Sequence, residues 1–314
     1  MHPDCRGWEA RQESRGAIQL IASRKAETAE ALHAKHITRR EPEMENEQRS
    51  EQVGDFVTIA YDRGIAEVTF DRGDALNAFS IQAMTELKKA AEILASDTKS
   101  SAVVLTGGKV FSAGADLADP AMRERDSMTL LEQREAVRLG PDLCQAWADL
   151  EQITIAAIER FCIGGGLAIA VSCDHRVASS SAHFRLPEIP LGMNMSWRSI
   201  PRIVSLIGPS RAKELVILGQ KVHADKAIQW GLIDRLAEPG LAISQARELA
   251  RSYSALPPLP ARMAKEAIDA SAQPLGYATS YMDRDQFLLA RRTGDHEEAV
   301  RSFLEKRDAD FNGD

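Results

Sequence analysis

Three consecutive glycines at positions 164–166 follow a strand predicted at 153–159 and open an apolar run that ends at Cys173 and Asp174. Glycine has no Cβ, so another molecule can approach the main chain closely here. Free N–H groups at the start of a predicted helix would also favour negative charge. Tight turns and close helix packing use glycine too, so the triplet alone leaves an anion site and a structural role equally open.

A second glycine element favours the anion site. It follows an apolar strand predicted at 102–106 and again lies at a strand-to-helix junction. Two such junctions can supply two N–H donors to one oxygen, which is how an oxyanion would be held. The element consists of Phe111, Ser112, Ala113, Gly114, Ala115, Asp116 and Leu117.

Composition excludes several other classes of protein. The chain has 314 residues with 44% hydrophobic and 27% charged content, enough to bury a sizeable core. Its net charge of −7 argues against nucleic-acid binding and against a basic membrane-binding surface. No apolar run is long enough to span a bilayer. The four cysteines have neither disulfide-type nor metal-type spacing, which predicts no metal site and a cytoplasmic protein.

The chain divides into three predicted regions. Residues 1–52 are rich in charged and polar side chains, and we expect a flexible extension there. Residues 53–255 alternate predicted strands and helices and form the predicted catalytic core. Residues 256–314 are predicted to form a helical C-terminal region.

Within the core the pattern is that of an α/β protein. Strands at 56–61 and 65–70 flank Asp62, Arg63 and Gly64, which predicts a hairpin. Ser80 is the expected cap of a helix that ends near Ala95. A further helix is predicted at 130–151, and past Pro209 the chain is predicted to be helical almost throughout.

These motifs, in this order, resemble the crotonase superfamily, also called the enoyl-CoA hydratase/isomerase family. The resemblance runs from Val53 to Asn312. The matching pieces are Ala75, Leu76, Asn77 and Ala78, the element at 111–117, the triple glycine, Cys173 and Asp174, the segment 184–188, Gly208, and the stretches 224–232 and 303–307.

The resemblance implies a spiral of ββα repeats with a helical C-terminal trimerisation region, and hence a homotrimer or a hexamer built from two trimers. It implies an acyl-CoA substrate whose thioester becomes enolate-like, and no separate cofactor, because coenzyme A is part of the substrate. By position, the N–H groups of Ala115 and Gly165 would stabilise the enolate oxygen. Ala113, Asp116, Leu117 and Ala168 would line the substrate, and Asp116 is expected to cap the following helix rather than to act as a catalyst.

The acid–base residues would decide the reaction. Hydratases of this family usually have two glutamates, and the matching positions here are Ala168 and Glu188. Hydration benefits from two carboxylates, whereas moving a double bond needs one base that takes a proton and returns it elsewhere. The resemblance therefore favours double-bond isomerisation with Glu188 as the proton shuttle. A hydratase with a single catalytic glutamate and a non-catalytic CoA-binding relative remain alternatives.

Two further groups of residues are assigned by the resemblance. An aspartate stands at the Ser196 position in the dienoyl-CoA isomerase and chlorobenzoyl-CoA dehalogenase branches, so serine argues against both chemistries. Ser196 and Trp197 are expected near the substrate. Coenzyme A is expected on the main chain near Ala75, Leu76 and Ala113, with Arg72, or Lys306 from a neighbouring subunit, reaching its phosphates.

Overall fold

The computed structural model describes residues 49–314, and they contain two β-sheets. The larger has seven strands in the order β1-β2-β3-β4-β5-β7-β10, and the smaller has three in the order β6-β8-β9. The strands are β1 (Arg49–Gln52), β2 (Val57–Asp62), β3 (Ile65–Phe70), β4 (Ala102–Thr106), β5 (Ile153–Ile158), β6 (Phe161–Ile163), β7 (His175–Ser179), β8 (His183–Arg185), β9 (Val222–His223) and β10 (Arg235–Ala237).

The predicted hairpin is present at the antiparallel edge of the large sheet. β2 and β3 pair up to Asp62 and Ile65, and the turn residues Arg63 and Gly64 have φ of 45° and 76°. Positive φ at both positions is what a two-residue hairpin turn requires. β1 extends this edge, so the last four residues of the predicted extension belong to the sheet. The rest of that extension, residues 1–48, lies outside the described residues.

From β3 onward the large sheet is parallel and covered on both faces. β4 is buried at all five positions, which is typical of a central parallel strand. Helix α8 (Ala242–Ser254) packs on one face against β4, β5 and β7. The main core lies on the other face, where α1 (Ile81–Ala95), α4 (Leu139–Ala148) and α5 (Gly165–Ala170) contribute buried side chains.

The remaining α-helices lie mostly toward the C-terminus. They are α2 (Pro120–Glu124), α3 (Leu130–Ala136), α6 (Ser199–Ile217), α7 (Ala224–Trp230), α9 (Pro258–Ala272), α10 (Gly276–Ser280), α11 (Asp283–Ala290) and α12 (Gly294–Glu305). No helix from Arg49 onward combines the length and the apolar character that crossing a bilayer would require.

Most predicted elements are found where they were expected. Ser80 caps α1, and its hydroxyl accepts a hydrogen bond from the N–H of Ala83 at 3.1 Å. The prediction of a single helix at 130–151 is wrong, because the chain forms the two helices α3 and α4 instead. Pro141 lacks an N–H and stands in the first turn of α4, a position that suits the start of a helix rather than its interior.

The prediction of helix almost throughout after Pro209 missed β9 and β10. β9 pairs with β8 through His223 and His183, and β10 pairs with β7 through Arg235 and Val177. Strands of two and three residues are too short to show an alternating apolar pattern. They form because a partner strand is already in place, and only the tertiary structure supplies that partner.

Candidate active site

The two glycine elements meet at the start of α5. Gly114 has a φ of 87°, and a Cβ there would lie 2.6 Å from the carbonyl oxygen of Ile163 and 3.2 Å from the nitrogen of Gly165. Backbone hydrogen bonds hold the elements together, because Ser112 donates to Phe161 at 3.1 Å and accepts from Ile163 at 3.0 Å. Only glycine allows this approach and this backbone conformation.

The N–H groups of Ala115 and Gly165 both lie at this junction. The N–H of Phe79 donates to the carbonyl of Gly114, and the carbonyl of Phe79 accepts from the N–H of Asp116. The N–H of Ala115, between these two residues, takes no part in this pairing. Gly165 is the first residue of α5, where no helical acceptor exists. Within residues 49–314 neither N–H meets an acceptor. The elements predicted to hold an oxyanion therefore carry free donors side by side.

Asn77 joins the first motif to the second glycine element. It is buried with a φ of 48°, and its side-chain amide donates to the carbonyls of Phe70 at 2.9 Å and Phe111 at 3.0 Å. Its side-chain oxygen accepts from the N–H of Arg72, and its carbonyl accepts from the hydroxyl of Ser112. The sequence interpretation used Asn77 only as a motif residue and missed this role. Asparagine's tolerance of the left-handed region was the available signal.

We expect Asn77→Ala to lower the free energy of unfolding by about 2–4 kcal/mol, because it leaves several buried carbonyls without a donor. Urea denaturation of the variant and the parent protein measures the difference. Asn312→Ala is a matched control at an exposed position. An unchanged midpoint for Asn77→Ala would show that this network does not hold the two elements together.

Glu188 places a carboxylate beside the triple glycine. It directly precedes a 3-10 turn at Ile189–Leu191, and a Cβ on Gly164 would lie 2.8 Å from its Oε1. Although part of the residue reaches solvent, its Oε2 is buried and has no hydrogen-bond partner among the described residues. Burial raises the pKa of Glu188 to about 7, against smaller opposing effects of its own backbone N–H and of Arg185. Such a carboxyl group can both accept and return a proton near neutral pH.

Trp197 packs against Gly165. A Cβ on Gly165 would lie 2.6 Å from its ring, and a Cβ on Gly140 in α4 would lie 2.3 Å from it. The ring also stacks on Phe79, with centroids 6.3 Å apart and planes 20° apart. Both Trp197 and Arg198 have positive φ, at 67° and 53°. Two consecutive bulky residues in this region are strained, so the surrounding contacts hold the ring in place.

The other residues predicted to line the substrate differ in how far they are buried. Ala168 is fully buried one turn into α5, and its methyl group can perform no acid–base step. Ser196 is buried, and its carbonyl accepts a hydrogen bond from Ser199 at 3.0 Å. Leu117 is largely exposed after the glycine element.

Asp116 does not cap the following helix, and that prediction is wrong. Asp119 caps α2 by accepting from the N–H of Ala121, while Asp116 accepts from Ala118 within the preceding turn. Its other carboxylate oxygen forms an ion pair with Arg72 at 2.7 Å. Burial opposes the charged form of Asp116, but the hydrogen bonds from Arg72 and Ala118 outweigh it and lower the pKa.

Arg72, predicted to reach a CoA phosphate, is thus already engaged inside the protein. Ala75 and Leu76 are exposed beside the site, and the N–H of Ala113 donates to the carbonyl of Leu76 at 2.9 Å. These three residues therefore lie together, and their contact with coenzyme A stays a prediction. Lys306 is exposed directly after α12, with a φ of 55°.

The cysteines among residues 49–314 are Cys144, Cys162 and Cys173, and all three are buried. Among residues 49–314 no group of three or more His, Cys, Asp or Glu side chains is arranged to hold a metal ion. Burial raises the pKa of Cys144 and of Cys173 to about 12, and it raises the pKa of Cys162 as well. Thiols that stay protonated are poor nucleophiles. The chemistry available is that of one carboxyl group beside main-chain donors.

Comparison with known proteins identifies the family. The enoyl-CoA hydratase/isomerase family model matches residues 60–314, so the chain belongs to that family, which lies within the crotonase superfamily. The predicted crotonase-like fold is confirmed by solved structures. One of them, an enoyl-CoA hydratase from Mycobacterium avium subsp. paratuberculosis, covers 82% of this chain and 99% of its own, with a TM-score of 0.72 at 22% identity.

Two curated relatives are closer in sequence. The short-chain-enoyl-CoA hydratase of Clostridium acetobutylicum is 34% identical over 245 residues, which is 77% of this chain and 92% of that protein. The 2,3-dehydroadipyl-CoA hydratase of Escherichia coli K12 is 33% identical over 250 residues, 78% of this chain and 94% of the relative. The protein is accordingly an enzyme of the isomerase or lyase class.

Proposed function

We propose that the protein is an acyl-CoA double-bond isomerase in which Glu188 shuttles one proton. The observation that carries this proposal is the buried Oε2 of Glu188, which has no hydrogen-bond partner in the described part of the chain, on a carboxyl group that lies beside Gly164 and has its pKa raised to about 7. A second carboxylate is missing from the position of Ala168, which supports a reaction that needs only one. Neither the base nor the donors require a cofactor.

In this mechanism ionised Glu188 removes a proton from C2 of a 3-enoyl-CoA. The electron pair of the broken C–H bond moves into the thioester, and negative charge develops on its oxygen. The N–H groups of Ala115 and Gly165 stabilise that oxygen, a role worth about 2.7–4 kcal/mol for one preorganised donor. Protonated Glu188 then returns the proton to C4, and the double bond ends between C2 and C3. Atoms and charge balance without water.

The second candidate is an enoyl-CoA hydratase that uses Glu188 alone. The names of the curated relatives favour it, because both are hydratases at 33–34% identity. A hydratase must hold a water molecule near C3, and Glu188 would have to orient and deprotonate that water without a second carboxylate. A non-catalytic CoA-binding relative is the remaining alternative.

Incubation with a trans-3-enoyl-CoA and, separately, with a trans-2-enoyl-CoA distinguishes these functions by product mass. An isomer of unchanged mass from the 3-enoyl substrate supports the proposal. A gain of one water from the 2-enoyl substrate supports the hydratase instead. If neither substrate changes, the protein is not a catalyst of either reaction. Homotrimer or hexamer assembly and a cytoplasmic location remain predictions.

Trp197 supports isomerisation because its ring fills space beside Gly165, where a hydrating water would need room. We expect Trp197→Ala to lower the isomerisation rate and to raise the hydrated fraction of product, measured by mass spectrometry. The small alanine side chain leaves the space beside Gly140 and Gly165 open to water. Trp230→Ala is a matched control, since Trp230 is the last residue of α7 and its ring contacts the ammonium group of Lys226. An unchanged product ratio would contradict this role for Trp197.

A further inference from the structure

A polar cleft lies near Trp197, on the side of Arg198 and Pro141. It has a volume of about 250 Å³ and lies between α4 and the pair α10 and α11. Arg198 and Pro141 line it, and each is the neighbour in sequence of a residue at the Trp197 contact. The cleft therefore lies next to the contact between Trp197 and Gly140.

The lining of this cleft is suited to a polar group rather than a hydrocarbon. Three arginines line it, Arg138, Arg198 and Arg284, together with Tyr277 and Tyr281. A hydrocarbon tail would leave these donors without partners and would gain little. Ligand pockets usually measure roughly 300–1,000 Å³, so a cleft of this size suits one end of a ligand better than a whole one.

The carboxylates of the cleft are already engaged. Asp142 pairs with Arg138 at 3.4 Å, and Asp283 accepts from the main-chain N–H of Arg198 at 2.7 Å. Burial raises the pKa of Asp283, against the opposing effects of the backbone N–H groups of Arg198 and Arg284. Glu135, an exposed residue at the edge, reaches Arg138 at 3.1 Å and Arg284 at 3.9 Å.

The guanidinium groups keep unused donors. The buried Nε of Arg284 has no hydrogen-bond partner among the described residues. The side chain of Arg198 donates through one nitrogen to Gln145 at 3.1 Å. Each guanidinium has five N–H donors in a planar fork that matches a carboxylate. The unused N–H donors of the cleft thus suit an acceptor with two oxygens.

We propose that this arginine cleft binds a carboxylate at the far end of the acyl chain. The substrate class is then a dicarboxylic enoyl-CoA rather than a simple fatty enoyl-CoA. This inference rests on the proposed acyl-CoA function and deepens it. The carboxylate replaces Glu135 as the partner of Arg138 and Arg284, while coenzyme A stays on the opposite side of the glycine elements.

The test compares two substrates of equal length, trans-3-hexenoyl-CoA and trans-3-hexenedioyl-CoA, which differ in the terminal carboxylate. We expect the parent enzyme to show a kcat/KM at least about tenfold higher for the dicarboxylic substrate, as a charged hydrogen-bonded pair would give. Arg138→Gln and Arg284→Met should each reduce that ratio about tenfold. Arg134→Gln is the matched control, since Arg134 lies one turn earlier, pairs with Asp285 and does not line the cleft.

The outcomes distinguish failure of the cleft inference from failure of the proposed function. Absence of a preference in the parent enzyme overturns the inference. An equal loss for both substrates in the arginine variants also overturns it, because those arginines would then serve the CoA phosphates or the fold. If neither substrate is turned over, the proposed function fails, and calorimetric binding of both thioesters to the parent protein decides the cleft separately. Tighter binding of the dicarboxylic thioester, lost in Arg138→Gln, would support the cleft even then.

Discussion

Replacing Glu188 by glutamine is expected to lower kcat for a 3-enoyl-CoA by about 10²–10⁴-fold, the usual contribution of a positioned acid–base group. Glutamine keeps the shape of the side chain but can neither accept nor return the proton. Substrate affinity should change little, because the main-chain donors and the CoA contacts remain. Single-turnover kinetics and calorimetric titration with substrate separate the two quantities. Glu92→Gln, in an exposed ion pair on α1, is the control.

The pH dependence of the parent enzyme follows from the same group. Only ionised Glu188 can take the first proton, and burial raises its pKa to about 7. We therefore expect kcat/KM to fall about tenfold per pH unit below about pH 7. A profile that stays flat down to the ordinary glutamate pKa would contradict the assignment of Glu188 as base.

The Glu188→Gln substitution should raise the free energy of unfolding although it lowers kcat. The pKa of Glu188 is about 7 in the folded protein and near the ordinary value of 4.5 in the unfolded chain. Between these values the folded state binds more protons, so the free energy of unfolding falls as the pH rises through this window. The glutamine variant should be more stable than the parent by about 1–3 kcal/mol at about pH 8, but not at about pH 4. Urea denaturation at both pH values measures this difference.

Gly114→Ala is the second substitution with a large expected effect. The φ of 87° disfavours alanine, and the new Cβ would lie 2.6 Å from the carbonyl of Ile163 and 3.2 Å from the N–H donor of Gly165. Because these atoms are backbone, the two glycine elements must separate. We expect a loss of about 2–4 kcal/mol in the free energy of unfolding. We also expect about a 10²–10³-fold loss in kcat, as when an oxyanion donor is removed.

Gly240→Ala provides the matched control for Gly114. Gly240 has a similar φ of 83°, and nothing lies within 4 Å of the position its Cβ would take. The Gly240→Ala variant should lose only about 1–2 kcal/mol in the free energy of unfolding, because of backbone strain, and should keep its activity. Equal stability and activity of the two variants would show that the close approach at Gly114 does not position the donors.

Much of the fold could be predicted from sequence, because its signals are local. The hairpin at Arg63 and Gly64, the cap at Ser80 and the buried strand β4 all depend on residues within a few positions of one another. The short strands β9 and β10 could not be predicted, since each depends on a partner strand tens of residues away. Asp116 was misassigned for the same reason, because its ion-pair partner is Arg72, 44 positions earlier.

The sequence by itself determined the two glycine elements, the family they indicate, the missing carboxylate at Ala168 and the carboxylate kept at Glu188. The tertiary structure alone decided that Gly114 approaches Gly165 closely and that Trp197 packs against Gly165. It also decided that the Oε2 of Glu188 is buried without a hydrogen-bond partner among residues 49–314. The physical reason is that residue identity fixes which groups are present. Their pKa, their free hydrogen-bonding capacity and the space beside them depend on neighbours that only the folded chain brings together.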